Sequence, residues 1–355
     1  MTVTTDFCGG NAHILEVNEN CVYFKPDLRD TNGNWFYWAF AVQNAAGKTL
    51  DFVITDCSPN EWIGPYGAAV SHDLVQWNWM GSTGFYKNSF QYTFAENENT
   101  VYFAHDMLYH PSQFYRFCKQ KDIPVQVLSK DRHGTPIPHI RVGKGENVIL
   151  FTARHHCCES TGNYVLEGIV DEFLRDPMPG WAVEAIPFVD ADGVIAGDQG
   201  KNRIPHDHYL DYLDGLYPGV KAVKAMIASE NIRAIFDLHS PWHFIDPAHP
   251  HDAHAFLVLP NPEKMDAYNR LSHLFKEECT SDGLIHEPGE NKLPGVGWNH
   301  YDEPIACSNW CDTIADVEIA LGLETTYFGD EKHIVSQKRL LETGRCFMRA
   351  VRRFF

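Results

Sequence analysis

The strongest constraint on this chain is a buried strand that runs directly into a helix, with a histidine and a glutamate at the junction. Residues 147–151 are apolar and β-branched, as in a buried strand. Residues 162–174 place apolar side chains at helical spacing. His156 and Glu159 fall between these segments, at the carboxyl end of the strand, where open α/β sheets bind ligands. A spacing of three lets an imidazole nitrogen and a carboxylate reach one cation, so the junction is a candidate zinc site.

The His-x-x-Glu pattern is weak evidence by itself, because it occurs three times in a chain with 19 histidines. The match at His13 lies near the N-terminus, and the match at His300 lies in a segment with glycine and proline that is typical of a loop. Only the match at His156 has a strand before it and a helix after it. From spacing alone, a polar helix start with a satisfied histidine stays an equal alternative.

Composition excludes several classes of function. The formal charge of −18 disfavours nucleic-acid binding, which needs a basic face. No apolar run approaches 18 residues, so we expect no membrane span. Residues 1–7 lack the basic and apolar regions of a signal peptide, and the ten cysteines follow no regular framework. These observations predict a cytoplasmic protein with reduced thiols.

The texture of the chain changes near residue 115, which predicts two domains, 1–115 and 116–355. Short strand-like segments in the first part indicate a small antiparallel β-sandwich, and we expect its aromatics, including Trp35, to form the core rather than a sugar-binding platform. The second part alternates helices and buried strands, which predicts an α/β domain with a mixed, mostly parallel sheet flanked by helices.

Two further strands carry chemistry. Residues 232–238 form a buried strand that ends in His239, which lies 80 residues after Glu159. A close pair followed by a distant third ligand is typical of a catalytic zinc, whose fourth position stays open for water. Residues 320–325 place Glu324 in an apolar strand, where a carboxylate is costly to bury without a role or a partner. We interpret Glu324 as the general base for the zinc-bound water, with a buried ion pair as the alternative.

The long glycine-rich loop between residues 189 and 212 carries Arg203, a cation suited to polarising a carbonyl or holding an oxyanion. A loop arginine without other context is usually just solvated.

Six motifs occur in the order of one known family: Thr152-Ala153-Arg154-x-His156-x-x-Glu159, Asp192-Gly193-Val194, Asn202-Arg203, Asp207, Leu238-His239-Ser240 and Leu323-Glu324. In these motifs the chain resembles the zinc carboxypeptidases (M14), and most closely the cytosolic carboxypeptidase branch, in which a β-sandwich precedes the catalytic domain. The resemblance implies that one zinc ion is bound by His156, Glu159 and His239. It also implies that Glu324 is the general base, Arg203 the electrophilic arginine, and Asp207 the carboxylate that orients a zinc histidine.

The chain departs from the family at the substrate anchor. In carboxypeptidases, an Asn-Arg pair follows the aspartate that corresponds to Asp207, and this pair holds the terminal carboxylate of the substrate. This chain has Tyr209 and Leu210 at those two positions. Leucine cannot form the charge-assisted, bidentate contact of arginine. Arg141, Arg154 and Lys201 are candidate replacements, and the sequence does not rank them.

Cys157 and Cys158 lie between the predicted ligands. The simpler interpretation is that their side chains fill space there and neither bind the metal nor react. The histidine-rich run at 249–254 has a Pro-rich context that favours a loop over a second metal site.

The sequence thus predicts a zinc-dependent hydrolase of peptide or amide bonds that acts on a peptide or small amide and binds neither nucleic acid nor membranes. One alternative is an amidase or deacylase on a small or C-terminally modified substrate. A second is a catalytically idle zinc-binding interaction protein. The oligomeric state stays open.

Overall fold

The computed structural model describes residues 1–56, 63–82, 87–241, 254–299 and 305–355. The His-x-x-Glu match at His300 and Glu303 lies outside the described residues, as does the histidine-rich run up to residue 253.

The N-terminal part folds into two facing β-sheets with an aromatic core. Its strands are β1 (Thr2–Thr4), β2 (His13–Val17), β3 (Cys21–Lys25), β4 (Ala39–Gln43), β5 (Thr49–Ile54), β6 (Ala69–Ser71), β7 (Asn78–Trp79), β8 (Ser89–Thr93) and β9 (Thr100–Ala104). One sheet has the order β1-β4-β9-β6-β7 and the other β2-β3-β5-β8. Strands β4 and β5 lie in different sheets, as do β8 and β9, so their polar connections cross from sheet to sheet. The predicted sandwich is present, but β3 and β5 pair in parallel, so it is not wholly antiparallel.

The second part is an α/β unit with a seven-stranded sheet. Its strands are β10 (Gln126–Lys130), β11 (Pro136–Gly143), β12 (Asn147–Ala153), β13 (Trp181–Ile186), β14 (Ile232–His239), β15 (Ala255–Val258) and β16 (Ile319–Thr325). Its helices are α1 (Pro111–Gln120), α2 (Thr161–Arg175), α3 (Ala191–Ala196), α4 (Pro218–Ser229), α5 (Met265–Glu278), α6 (Cys307–Asp312) and α7 (Gln337–Phe354), with short 3₁₀ turns at His208–Leu210, Pro262–Lys264 and Pro288–Glu290. Within the described ranges, no helix combines the length and apolarity needed to cross a membrane.

The sheet order β10-β11-β13-β12-β14-β16-β15 places a parallel centre between antiparallel edges. Strand β12 pairs in parallel with β13 on one side and β14 on the other, and β14 pairs in parallel with β16. After β12, the chain therefore first adds β13 on one side of that strand and later adds β14 on its other side. Such a reversal opens a crevice at the carboxyl ends of the strands, which is where ligands bind in this type of sheet.

Helix α2 begins directly after the crevice and is fixed from behind by α7. The two helices approach each other through Gly168 and Gly344, where a Cβ atom would come within 2.0 Å of a backbone oxygen of the opposite helix. Close packing along the length of α2 holds its N-terminal end rigidly against the sheet. The segment that carries His156 and Glu159 is therefore tied at one end to β12 and at the other to a buried helix.

Candidate metal centre

The structure brings His156, Glu159 and His239 together at the carboxyl ends of β12 and β14. One potential ligand atom from each residue lies within 4.8 Å of the other two. Glu159 lies between the imidazoles, with Oε1 3.0 Å from Nδ1 of His156 and Oε2 2.7 Å from Nδ1 of His239. The backbone amide of Ser240 also donates to Oε2, at 3.2 Å. Three potential metal-ligand atoms, from the ends of two strands, thus face one point.

A carboxylate orients each imidazole from its far side. Nε2 of His239 is 2.7 Å from Oδ2 of Asp237, and Nε2 of His156 is 3.6 Å from Oδ2 of Asp207. Both histidines therefore turn Nδ1 towards Glu159 and Nε2 towards a carboxylate. Histidines that ligate metals use this arrangement, because the outer partner fixes the tautomer and raises the basicity of the inner nitrogen.

Asp237 belongs to the site, although it was not predicted from the sequence. Its other oxygen, Oδ1, accepts a hydrogen bond from Thr152 at 2.7 Å and lies 2.8 Å from Nδ1 of His155. Burial opposes charge on His155, but Asp237 outweighs it and raises the pKa of that imidazole to about 9. His155 also contacts the Tyr212 hydroxyl at 2.8 Å. The sequence did contain a signal for Asp237, because it is a carboxylate inside an apolar strand. Glu324 was predicted as a site residue for the same reason.

Glu324 lies next to the three candidate ligands. It pairs with His239 in the register of β14 and β16, and it lines the same cavity. Burial raises the pKa of Glu324 to about 7, against the opposing charge of His239. Among the described residues, its Oε2 atom is buried without a hydrogen-bond partner. The ion-pair alternative predicts a direct partner for this carboxylate, which the described residues do not supply at that oxygen.

Lys201, and not Arg203, is the basic residue that lines the cleft. Its Nζ is 2.5 Å from Oε1 of Glu159, and the ammonium lies 4.9 Å from the ring centroid of Trp35. The loop that carries Lys201 packs on the metal-binding segment through Gly200, which has φ +74°. A Cβ there would lie 2.5 Å from the amide nitrogen of Cys157.

Arg203 points to the other side of the same loop. Its guanidinium contacts Asp30 at 2.9 Å, Asp190 at 2.6 Å and Asp198 at 3.0 Å. It lines a separate cavity of about 240 Å³ rather than the cleft. The structure therefore does not bring Arg203 together with the predicted zinc ligands.

Asp131, Asp190 and His208 form a second His and Asp cluster beside Arg203. Nη1 of Arg203 lies 3.2 Å from Nδ1 of His208, and because a guanidinium can only donate, that nitrogen accepts. Burial lowers the pKa of His208 to about 4, so the ring is neutral and its remaining proton sits on Nε2. A protonated nitrogen has no lone pair for a metal. This cluster is an ion-pair centre, whereas in the cluster around Glu159 two imidazole nitrogens face carboxylate oxygens.

The cleft above Glu159 has a volume of about 390 Å³ and walls that are mostly apolar. Tyr209 and Leu210, at the anchor positions, both line it, and Tyr209 places its ring 5.0 Å from that of His239, centroid to centroid. Trp298 is 55% exposed, and Leu210 is 36% exposed. Large apolar side chains that stay accessible in a concave site indicate an apolar ligand group.

The other candidate anchors lie elsewhere. Arg154 has φ 63° and is buried, where Nη1 donates to the Ser160 hydroxyl at 3.0 Å and to Asn163 at 3.1 Å. It stabilises the turn that carries the ligands and does not line the cleft. Arg141 pairs with Glu184 and is also away from the cleft.

Cys157 and Cys158 are buried. The Cys157 thiol donates to the carbonyl of Asp198 at 3.1 Å. Burial raises the pKa of Cys158 to about 12, so its thiol stays protonated. Both observations agree with a filling role.

Comparisons with known proteins agree with this architecture. Residues 3–105 match the family model described as the cytosolic carboxypeptidase N-terminal domain. A solved metallo-carboxypeptidase from Pseudomonas aeruginosa, in complex with (2-guanidinoethylmercapto)succinic acid, superposes with a TM-score of 0.80 over 99% of this chain and 98% of its own, at 16% identity. A metallo-carboxypeptidase from Burkholderia cenocepacia gives a TM-score of 0.77 over 99% and 97%, also at 16% identity. An uncharacterised protein of Zymomonas mobilis is 26% identical over 319 residues, which are 83% of this chain and 81% of the relative.

The chain has the metallo-carboxypeptidase fold, and its residues 3–105 match the N-terminal domain of the cytosolic carboxypeptidases. The resemblance and the fold class predicted from the sequence are thereby confirmed. The boundary between the domains near residue 115 stays a prediction, because the family model covers the first part only up to residue 105.

The residues present fit a zinc ion. Two imidazole nitrogens and one carboxylate are a typical protein ligand set for catalytic zinc, and all three face one point. The far nitrogen of each histidine has a carboxylate partner, and Glu324 adds a buried carboxylate oxygen without a hydrogen-bond partner among the described residues.

Proposed function

We propose that this chain is a zinc-dependent hydrolase of peptide or amide bonds, with His156, Glu159 and His239 as the zinc ligands. The observation that carries the proposal is the convergence of these three donors beside the buried carboxylate of Glu324. Bound zinc would supply Lewis-acid polarisation of the scissile carbonyl and would lower the pKa of water at the site.

Glu324 is placed to act as general base. A base works best when its pKa lies near the working pH, and burial brings the pKa of Glu324 to about 7. Its Oε2 atom can accept a proton from the attacking water and then return it to the leaving nitrogen. Because Glu324 sits on the central strand β16, its position relative to His239 is fixed by the sheet register.

Lys201 replaces Arg203 in this proposal as the cation that stabilises the developing oxyanion. It lines the cleft, whereas the guanidinium of Arg203 is held by three carboxylates on the other side of the loop. A preorganised cation in a site with low water content is worth more than one in solution, because the local dielectric is lower.

Removal of the base is the direct test. Glu324→Gln keeps the shape and should retain one zinc per chain, while the rate of amide hydrolysis falls by about 10³-fold or more, since acid–base catalysis alone contributes about 10²–10⁴-fold. The matched control is Glu318→Gln, on the approach to the same strand, where the exposed Glu318 side chain pairs with Arg233. Native mass spectrometry gives the zinc content, and chromatography of a blocked dipeptide gives the rate. An active Glu324→Gln protein would contradict the proposal.

A second candidate, an amidase or deacylase that does not require a free C-terminus, is favoured by one observation. Tyr209 and Leu210 line the cleft at the anchor positions, and Lys201, already paired with Glu159, is the one lysine or arginine in the described lining. If the missing Asn-Arg pair limits carboxypeptidase activity, restoring it by Tyr209→Asn with Leu210→Arg should raise cleavage of free C-termini by about tenfold, as expected for one charge-assisted contact. The single Leu210→Met variant is the control for altered packing. No gain over that control would show that the lost pair is not the limit.

A further inference from the structure

Residues 27–35 of the N-terminal domain pack against the loop that carries Lys201. We call residues 27–35 the clamp segment. Asp30 accepts backbone hydrogen bonds from Gln199 at 2.9 Å and from Gly200 at 2.8 Å. Arg29 donates to the carbonyl of Ala196 at 2.6 Å. The N-terminal domain is therefore bonded to backbone atoms directly beside Lys201, and it defines the path of that loop.

Trp35, at the end of the clamp segment, reaches the cleft itself. Its indole Nε1 donates to the side chain of Asn202 at 2.9 Å, and its ring lies next to the Lys201 ammonium. The same side chain lines the cavity that contains Glu159, His239 and Glu324. Trp35 was predicted to belong to the sandwich core; it packs against that core, but it is only half-buried and also lines the cleft.

The remaining apolar walls come from the catalytic domain. Tyr209, Leu210 and Trp298 line the cavity together with Trp35. The volume of about 390 Å³ is in the range of sites that enclose small organic ligands. A group that fills this space must be largely apolar, because most of its surroundings offer no hydrogen-bond partner.

On these grounds we propose that the N-terminal domain forms one wall of the substrate-binding cleft, where Trp35 binds a large apolar side chain next to the amide bond that is cleaved. This inference rests on the proposed function for the identity of the cleft, and it adds the class of substrate. Trp35 is then a specificity residue, and the clamp segment positions Lys201.

The test measures binding without turnover. In a zinc-loaded Glu324→Gln background, N-acetylphenylalanine amide and N-acetylalanine amide are titrated by calorimetry. We expect the phenylalanine compound to bind at least tenfold more tightly, since an aromatic side chain in a fitted apolar pocket is worth about that or more. Trp35→Ala should abolish the preference, and Trp35→Phe should restore most of it.

Trp79 provides the matched control. It too is a half-buried tryptophan of the N-terminal domain that donates to the catalytic domain, through Nε1 to the carbonyl of Val335 at 2.9 Å, but it does not line the cleft. Trp79→Ala should keep the preference. Trp35→His, which retains a ring donor for Asn202 but presents a smaller, more polar ring, is a second test if the alanine variant does not fold.

Equal affinities for the two compounds, a preference that survives Trp35→Ala, or an equal loss in Trp79→Ala would each overturn the inference. A Trp35-dependent preference in a protein whose wild-type form hydrolyses nothing would support the inference while removing the proposed hydrolase function. The two proposals can therefore fail separately.

Discussion

Two clusters of histidine and carboxylate lie on opposite sides of one loop, and they have opposite electrostatic designs. Around Glu159, two imidazoles turn Nδ1 towards the oxygens of that carboxylate and Nε2 towards carboxylates on the outside. Around Arg203, a guanidinium already occupies the centre and uses His208 as an acceptor. Residue types alone do not make a metal site; the charges that surround each imidazole decide whether a cation is favoured there.

The largest expected effect separates the clusters by zinc content. His239→Ala removes a ligand and should lower zinc affinity by on the order of 10³-fold or more, so that the purified protein carries well under one zinc per chain. His208→Ala is the control from the other cluster and should keep one zinc. Native mass spectrometry or elemental analysis measures both. Zinc loss in His208→Ala alone would reverse the assignment of the two clusters.

The next effect separates the two basic residues of the loop. Lys201→Met should lower kcat/KM by about 10²–10³-fold with zinc retained, because an oxyanion partner is lost. Arg203→Met should instead lower the free energy of unfolding by about 3–5 kcal/mol, because buried carboxylates are left without their cation. Steady-state kinetics and urea unfolding measure the two quantities. If Arg203→Met lost activity while stability stayed unchanged, Arg203 rather than Lys201 would be the electrophilic residue.

A smaller effect is expected at the carboxylate behind His239. Asp237→Asn keeps an acceptor oxygen but loses the charge that orients both His239 and His155, so zinc affinity should fall by about 10–100-fold. Competition with a chromogenic chelator measures the affinity. Asp192→Asn, at a carboxylate that lines the cavity beside the other cluster, is the control and should leave the affinity unchanged. Equal affinities in wild type and Asp237→Asn would show that the carboxylate only fills space.

The strands that carry the site were predictable because each is an apolar run that ends in a polar residue of functional type. Strands β12, β14 and β16 were all predicted, and their parallel register brings His239 beside Glu324. Strand β11 was not predicted, because Pro136 and Pro138 interrupt its pattern. The six-residue helix α3 was interpreted as loop for a similar reason, since it lies in a glycine-rich segment.

The choice between Lys201 and Arg203 could not be made from the sequence. The two residues lie in one loop, and the direction of each side chain depends on Asp30, which is 173 positions away from Arg203. The same holds for Trp35, whose aromatic neighbours in sequence are buried in the sandwich while it reaches the cleft. Contacts between the domains decide the directions of these side chains, and such contacts cannot be predicted from short sequence patterns.

The central claim is that the cluster around Glu159 forms a working hydrolytic centre. The most direct test incubates the zinc-loaded wild-type protein with a peptide bearing a large apolar C-terminal residue, as the free acid and as the amide, and follows the products by mass spectrometry. The account predicts zinc-dependent cleavage of an amide bond, and an amidated peptide processed at least as well as the free acid would favour the second candidate. With one zinc bound per chain, no cleavage of either peptide, or of small N-acyl amides, would contradict it.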